Sequence, residues 1–221
     1  MKILVIDVGG TNVKMLASAQ EDPRKFPSGP TLTPEAMIEG VLRETKDWDY
    51  DVITIGYPGP VVNGKPVLEP KNLGSGWVDF NFKAKFRKPV RVINDAAMQA
   101  LGSYKGGRML FLGLGTGMGS ALVIDSVVAP LELAHLPYKK DKTFEDYVGL
   151  RGLERLGKKR WQAAVEDVVA RLQAALGADS VVLGGGNAKK LKRLPPGVRL
   201  GDNLNAFVGG FRLWEDDKMK A

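Results

Sequence analysis

Residues 113–119 read "GLGTGMG", four glycines in seven positions. So much glycine suits a phosphate-binding backbone, and the flanking residues decide which kind. The dinucleotide pattern G-x-G-x-x-G does not fit. Counted from Gly113 and Gly115, its third glycine falls on Met118. A dinucleotide loop must also open a helix, because the helix N-terminus holds the pyrophosphate. Here "SALVIDSVVAP" (120–130) follows, in which Leu122, Val123 and Ile124 lead to an Asp125-Ser126 turn and then to Val127 and Val128. That run is β-rich. A Walker A loop is excluded as well, since no Gly-Lys-Ser/Thr follows. The stretch therefore joins two strands, "RMLFLGL" (108–114) entering and "SALVI" (120–124) leaving. Backbone N–H groups in such a hairpin can form an anion-binding nest, although one loop taken alone reads better as an ordinary glycine-rich turn.

The N-terminus repeats the pattern. "KILVID" (2–7) is an apolar strand, "VGGTN" (8–12) a glycine turn and "VKMLASA" (13–19) a second strand. Asp7 ends the first strand, Thr11 sits in the turn and Lys14 starts the return. Two strand–glycine–strand hairpins suggest two related lobes. A third piece, "DSVVLGGGNAKKLKRL" (179–194), runs from a buried strand into Gly184, Gly185, Gly186 and Asn187, and a basic helix is expected after it. Glycines ahead of a helix suit contact with a nucleotide or polyphosphate.

The chain has 221 residues, 44% of them hydrophobic, enough for one large domain or two small lobes. It has no cysteine, which leaves no disulfide framework and no thiolate metal site. "MKILVIDVGG" is not a signal peptide, because its apolar run meets Asp7 at once. No stretch reaches the length of a transmembrane helix, and the expectation is a soluble, cytoplasmic protein with no membrane partner. The net charge is +7, with basic runs at 83–91, 137–142, 157–161 and 188–199. Such runs are usually solvated surface. Their sharper reading is a surface that attracts polyanions. No nucleic-acid recognition motif stands out, so an anionic phosphate substrate is the better candidate.

Alternating strands and helices make the chain α/β. Thr33-Pro34-Glu35 predicts an N-cap, a proline at N1 and an acidic first turn for a helix to about Lys46. "DVITIGYPGP" (51–60) reads as strand plus loop, and Asn63-Gly64 as a hairpin turn. Trp161, Val165, Val168, Leu172 and Leu176 predict an amphipathic helix over 158–176. Leu204, Phe207, Val208, Phe211 and Trp214 predict a second stripe in a C-terminal helix, and both stripes are expected to be core.

"VRVINDAAMQALG" (90–102) places Asn94 and Asp95 where a strand meets a helix. A carboxylate at the carboxyl end of a strand is well placed as a general base, and Asp95 could equally cap the helix begun by Ala96. His135, the only histidine, follows Glu132 by three residues. Asn72 sits in a glycine-rich loop, and Glu145 in "TFEDYVG" (143–149). Such groups converging on a cleft would hydrogen-bond a polyhydroxylated ligand.

"DVGGTNVK", "NDAAMQALG", "LGTGMGSAL", "ELAH" and "LGGGNAKKL" stand in the order found in the ROK family of sugar kinases and repressors, which the chain resembles over nearly its whole length. "ELAHLPY", "EDYVG", "LERLGKKRW" and "DNLNAFVGGFRLW" look most like its polyphosphate glucokinase branch. The resemblance implies a two-lobed actin-like, hexokinase-like (ribonuclease H-like) α/β fold. The expected division is an N-terminal lobe (1–106), a C-terminal lobe (107–202) and a C-terminal helix (203–221), with a short hinge near 103–108. The implied activity is phosphorylation of glucose at the 6-hydroxyl with polyphosphate, ATP or both as donor. An ATP-only kinase for another hexose and a non-catalytic sugar-binding regulator are the rivals.

The same likeness makes Asp95 the base, and Asn72, Asn94, Glu132, His135 and Glu145 the sugar ligands. Asp7 would orient Mg²⁺, directly or through water. Gly9, Gly10, Thr11, Asn12 and Lys14, with Gly115, Thr116 and Gly117, would cradle the donor phosphates. Gly184, Gly185, Gly186 and Asn187 would lie along the nucleotide or the polyphosphate chain. A homodimer is implied too. Many relatives carry Glu-x-Gly-His followed by a zinc-binding cysteine cluster. Here Ala134 replaces that glycine and only nine residues separate His135 from Glu145, none of them cysteine. No zinc is expected, and His135 should be held by packing or hydrogen bonds.

Overall fold

The structure, a computed structural model, describes residues 1–215. The chain begins with β1 (Ile3–Val8), β2 (Asn12–Ala17) and β3 (Arg24–Pro27), a three-stranded meander. In β1 the odd and even side chains are both buried, as a strand covered on two faces requires. Helix α1 (Pro34–Glu44) starts as expected: Thr33 is the N-cap, its hydroxyl oxygen accepts the Ala36 N–H at 3.3 Å, and Pro34 is the first helical residue. Strand β4 (Val52–Tyr57) lies parallel to β1. The small hairpin of β5 (Val61–Val62) and β6 (Lys65–Pro66) turns through Asn63 and Gly64, both at positive φ. After the short α2 (Phe82–Phe86), β7 (Val90–Asn94) pairs parallel with β4 and passes into α3 (Asp95–Ser103). The first sheet has the order β3-β2-β1-β4-β7.

The second half repeats the opening. Strands β8 (Met109–Leu114), β9 (Met118–Ile124) and β10 (Val127–Leu131) form another meander, with Leu114 opposite Met118 across a three-residue turn. A hairpin of β11 (Pro137–Lys139) and β12 (Lys142–Thr143) leads to α4 (Phe144–Val148), which has a Thr143–Asp146 capping box. Helix α5 (Leu150–Leu176) is broken at Gly157, whose φ of 72° and ψ of 160° no helix permits. Its second part is the expected 158–176 helix, and the first turns were not anticipated. Strands β13 (Ser180–Gly184) and β14 (Val198–Leu200) then add parallel to β8, giving the order β10-β9-β8-β13-β14. Helix α6 (Asn205–Glu215) follows.

Side-chain alternation along the strands sorts the core into three layers. Leu4, Ile6 and Val8 of β1 join Met37, Trp77 and Phe82 on the outer face of the first sheet. Leu110 and Leu112 of β8 join Trp161, Val165 and Leu172 on the outer face of the second. Ile3 and Val5 look the other way, as do Met109 and Phe111, and between them lie α3 and α6. The two central helices approach very closely. A Cβ on Gly102 would stand 1.8 Å from the Asn205 carbonyl oxygen, and one on Gly209 the same distance from that of Met98. Thr54 of β4 fastens α6 by donating its hydroxyl to Gly210 O at 2.8 Å while accepting Trp214 Nε1–H at 2.9 Å. Among the described residues no helix is long and apolar enough to cross a membrane.

Two expectations need correction. Of the expected stripe, Phe207 is buried and Phe211 and Trp214 pack against the core, but Leu204 and Val208 are exposed, and α6 also buries Ala206 and Leu213. The close backbone contact through Gly209 leaves its neighbour Val208 on the outside. The basic helix expected after Gly186 is a single 3₁₀ turn at Ala188–Lys190. Lys192 N–H is already donated sideways to Gln162 Oε1 at 3.0 Å, and Pro195 and Pro196 oppose any continuation.

Candidate active site

Strands β1, β4 and β7 run parallel, so their carboxyl ends share one edge, where open α/β sheets bind ligands. Asp7 stands near that end of β1 and Asp95 just past that end of β7. Asn94 is the N-cap of α3, with Oδ1 accepting the Ala97 N–H at 3.0 Å, and Nδ2 donates to Gly59 O at 3.0 Å. The capping duty thus falls to Asn94 and not to Asp95. Asp95 Oδ1 accepts its neighbour's N–H, from Ala96 at 2.8 Å. Asp95 is half-buried, and desolvation of its carboxyl pushes it up to about 7, helped by the charges of Asp7 and Glu132. Asp7 is raised by the same burial, opposed by Lys14, which faces it across the β1–β2 pair with Nζ 3.9 Å from Oδ2.

Both glycine turns are pinned by their carbonyls. In the first, Gly9 N–H meets Asn12 O at 3.1 Å, while Ser28 donates its hydroxyl to Gly9 O at 2.6 Å and its N–H to Thr11 O at 3.0 Å. In the second, Gly115 N–H meets Gly117 O at 3.1 Å, and Leu150 N–H reaches Gly115 O at 3.1 Å and Thr116 O at 3.2 Å. Asn187 closes the same turn, donating Nδ2–H to Gly115 O at 2.8 Å and its N–H to Leu114 O at 2.9 Å. Gly185 can be nothing larger, since at its φ of 81° a Cβ would lie 2.5 Å from Leu114 O. The N–H groups of Gly10, Thr11, Thr116 and Gly117 have no protein acceptor among the described residues. Carbonyls tied down and amides left over are what an anion nest needs. The start of α3 meets the return strand of the second turn, where a Cβ on Gly119 would be 2.9 Å from Ala96 Cβ, so Asp95 lies beside it.

The expected sugar ligands are distributed around these turns. Asn72 is exposed and packs against Gly10, where an added Cβ would be 3.2 Å away. Glu132 is exposed and close enough to Asp95 for its charge to be felt. It precedes a 3₁₀ turn, Leu133–His135, seated by Ser120, which donates to Leu131 O at 2.7 Å and accepts Leu133 N–H at 3.3 Å. His135 was expected to be held by packing or hydrogen bonds; it is exposed, and among the described residues its side chain makes no hydrogen bond. Glu145 Oε2 accepts the Met118 N–H at 3.2 Å, which puts the carboxylate against the second turn. Its segment is fixed by Tyr138, whose ring meets Phe144 and Tyr147 and whose hydroxyl donates to Asp167 at 2.5 Å.

Ser28 and Leu150 carried no signal in the sequence. A backbone amide and a lone serine reveal a role only through the partner the fold gives them. The basic 188–199 segment docks on the 158–176 helix, with Lys192 N–H donating to Gln162 and Arg193 pairing with Glu166 at 2.9 Å. The 83–91 run instead borders a cavity of about 290 Å³ beside Val90 and Val92, nearer the start of β7. No cluster of three or more His, Asp or Glu side chains forms a metal cage among the described residues.

The ROK family model matches residues 3–129. No curated protein sequence matches the chain. Many solved structures do. The inorganic polyphosphate/ATP-glucomannokinase from Arthrobacter sp. strain KM is 22% identical with a TM-score of 0.81, over 95% of this chain and 96% of that one. A ROK family glucokinase from Streptomyces griseus, in complex with glucose and AMPPNP, is 15% identical with a TM-score of 0.75, over 96% and 99%. The ROK hexokinase from Thermus thermophilus is 19% identical with a TM-score of 0.72, over 98% and 100%. At these identities the likeness shows the fold, the two-lobed actin-like, hexokinase-like architecture.

Proposed function

The chain belongs to the ROK family, and from that premise we propose that it is a sugar kinase, transferring a phosphoryl group from inorganic polyphosphate or ATP to the 6-hydroxyl of glucose. The observation that carries the reading is Asp95, a carboxyl raised to about 7, near Asp7 and next to Ala96, which packs on the return strand of the second turn. A base with that affinity can take the proton of a sugar hydroxyl near neutrality. The transition state spreads charge over phosphoryl oxygens, so the protein's task is to position and neutralise. Gly10, Thr11, Thr116 and Gly117 offer N–H groups, and Lys14 offers a cation. Asn72, Asn94, Glu132, His135 and Glu145 are the candidate sugar ligands. Asp7 and Asp95 supply hard oxygen donors whose mutual repulsion a cation would relieve, and Mg²⁺ asks for only one or two carboxylates. Held at Asp7, it would neutralise the donor's charge.

In this reading 1–106 and 107–202 are the lobes, 103–108 the hinge between them and 203–221 a helix returning onto them, of which 216–221 lie outside the described residues. Closing them would keep water from competing as acceptor. The donor preference draws support from the Arthrobacter enzyme, named for both donors and for two sugars. The decisive experiment is a panel of hexoses assayed separately with ATP and with polyphosphate, for wild type and Asp95→Asn. Glucose should be used with polyphosphate. The variant should keep glucose binding while turnover falls by roughly 10²–10⁴-fold. Near-normal turnover in a folded Asp95→Asn protein would remove Asp95 as the base. Activity with ATP alone would favour the ATP-only reading.

A further inference from the structure

Glu145 creates an electrostatic conflict at the second glycine turn. Its Oε2 lies so close to Gly117 that an added Cβ there would be 2.3 Å away. Thr116 and Gly117 carry the N–H groups that the turn leaves unused. An anion bound to them would sit beside a carboxylate, and like charges at such range repel. Among the described residues, Arg151 is the cation paired with Glu145. Arg151 Nη2 is 3.4 Å from Glu145 Oε1, and its side chain is 74% exposed against 19% for Glu145. The preceding residue, Leu150, is locked to the turn by its N–H, so the backbone of Arg151 is fixed while its guanidinium is free to swing. One long contact leaves most of its five donors unused. Arg155, a helical turn further on, is by contrast occupied, donating to Asp146 O at 2.7 Å and stacked over Tyr147.

We propose that Arg151 is a donor-binding residue, which moves from Glu145 to the oxygens of the phosphate chain held on the Thr116 and Gly117 amides and so releases Glu145 Oε1 for a sugar hydroxyl. The proposal rests on reading that turn as the donor site. The guanidinium is the right group for it: planar, always charged, and able to meet two phosphate oxygens at once. It also couples the two substrates, because each binds better once the other has taken its share of the Arg151–Glu145 pair. That coupling must have the same magnitude in both directions.

The test is calorimetric titration of wild type, Arg151→Ala and Arg151→Lys with magnesium tripolyphosphate and with glucose, each in the absence and presence of the other. Arg151→Ala should weaken tripolyphosphate binding by about tenfold or more. Lysine should restore part of it, keeping the charge but not the fork. Glucose affinity measured alone should not weaken, and the mutual enhancement seen in wild type should vanish in Arg151→Ala. Unchanged tripolyphosphate binding in Arg151→Ala overturns the proposal, and so does a loss confined to glucose, because Arg151 would then merely neutralise Glu145. Failure of the wild type to bind tripolyphosphate would instead remove the donor reading of the turn, and this role with it.

Discussion

Asp95 destabilises the fold that holds it. In the unfolded chain its carboxyl ionises near 3.8, and in the folded protein near 7. Between these values the unfolded state releases a proton that the folded state keeps, so stability declines as pH rises through that window and then levels off. Asp95→Asn removes the ionisation. Its thermal stability should equal that of wild type near pH 4, exceed it increasingly up to about pH 7, and hold a constant advantage above. Melting curves at pH 4, 5.5 and 8 without metal check this, and a gap that does not widen with pH would show an ordinary carboxylate. Asp95 and Asn94 were legible in the sequence because a strand ending in two polar residues is a local pattern. The division of labour between them was not, since it depends on which side chain the first helical turn captures. Arg151 was invisible for a related reason: its place beside the second glycine turn is set by the docking of Leu150 on Gly115 and Thr116, far earlier in the chain.

At the level of elements, the contact of α3 with α6 depends on glycine. Gly209→Ala would drive a methyl group into the Met98 carbonyl, and overpacking of this kind typically destabilises by about 1–3 kcal/mol or more. Denaturant titration should show that loss, whereas Val208→Ala on the exposed neighbouring position should be nearly silent. The stripe of α6 misled only at Leu204 and Val208, because periodicity counts large side chains and cannot see that part of the contact runs through the backbone at Gly209. The β11–β12 hairpin makes a second case. Tyr138, Phe144 and Tyr147 form an aromatic cluster tied to Asp167 and covered by Lys139 and Arg155. That cluster can hold Glu145 in place without a metal. Elemental analysis should find no stoichiometric zinc, and a chelator should leave glucose binding intact. Zinc bound through His135, with sugar binding lost on chelation, would refute it.

On the scale of the whole molecule, the two strand–glycine–strand hairpins were enough to suggest two related lobes, because β1–β2 and β8–β9 are local hairpins. Sheet order was not accessible that way, since β7 and β13 reach their partners across long connections. The +7 charge also belongs to this scale. Lys189 and Lys192 are exposed on the segment that docks against the 158–176 helix, whereas Lys190 is engaged with Asn187 Oδ1 at 2.7 Å. If a long polyphosphate follows this surface, its apparent affinity should fall more steeply with added salt than that of ATP. Lys189→Glu with Lys192→Glu should then raise the KM for polyphosphate and leave that for glucose unchanged, and equal salt slopes for both donors would count against the path. The position of α6 has a consequence for biosynthesis. It is translated after every surface it covers, so Val5, Met98 and Gly102 must wait uncovered while the first sheet and α3 are already outside the ribosome. A nascent chain halted at residue 204 should therefore bind holdase chaperones and be cut readily by protease, and release of α6 should end both at once.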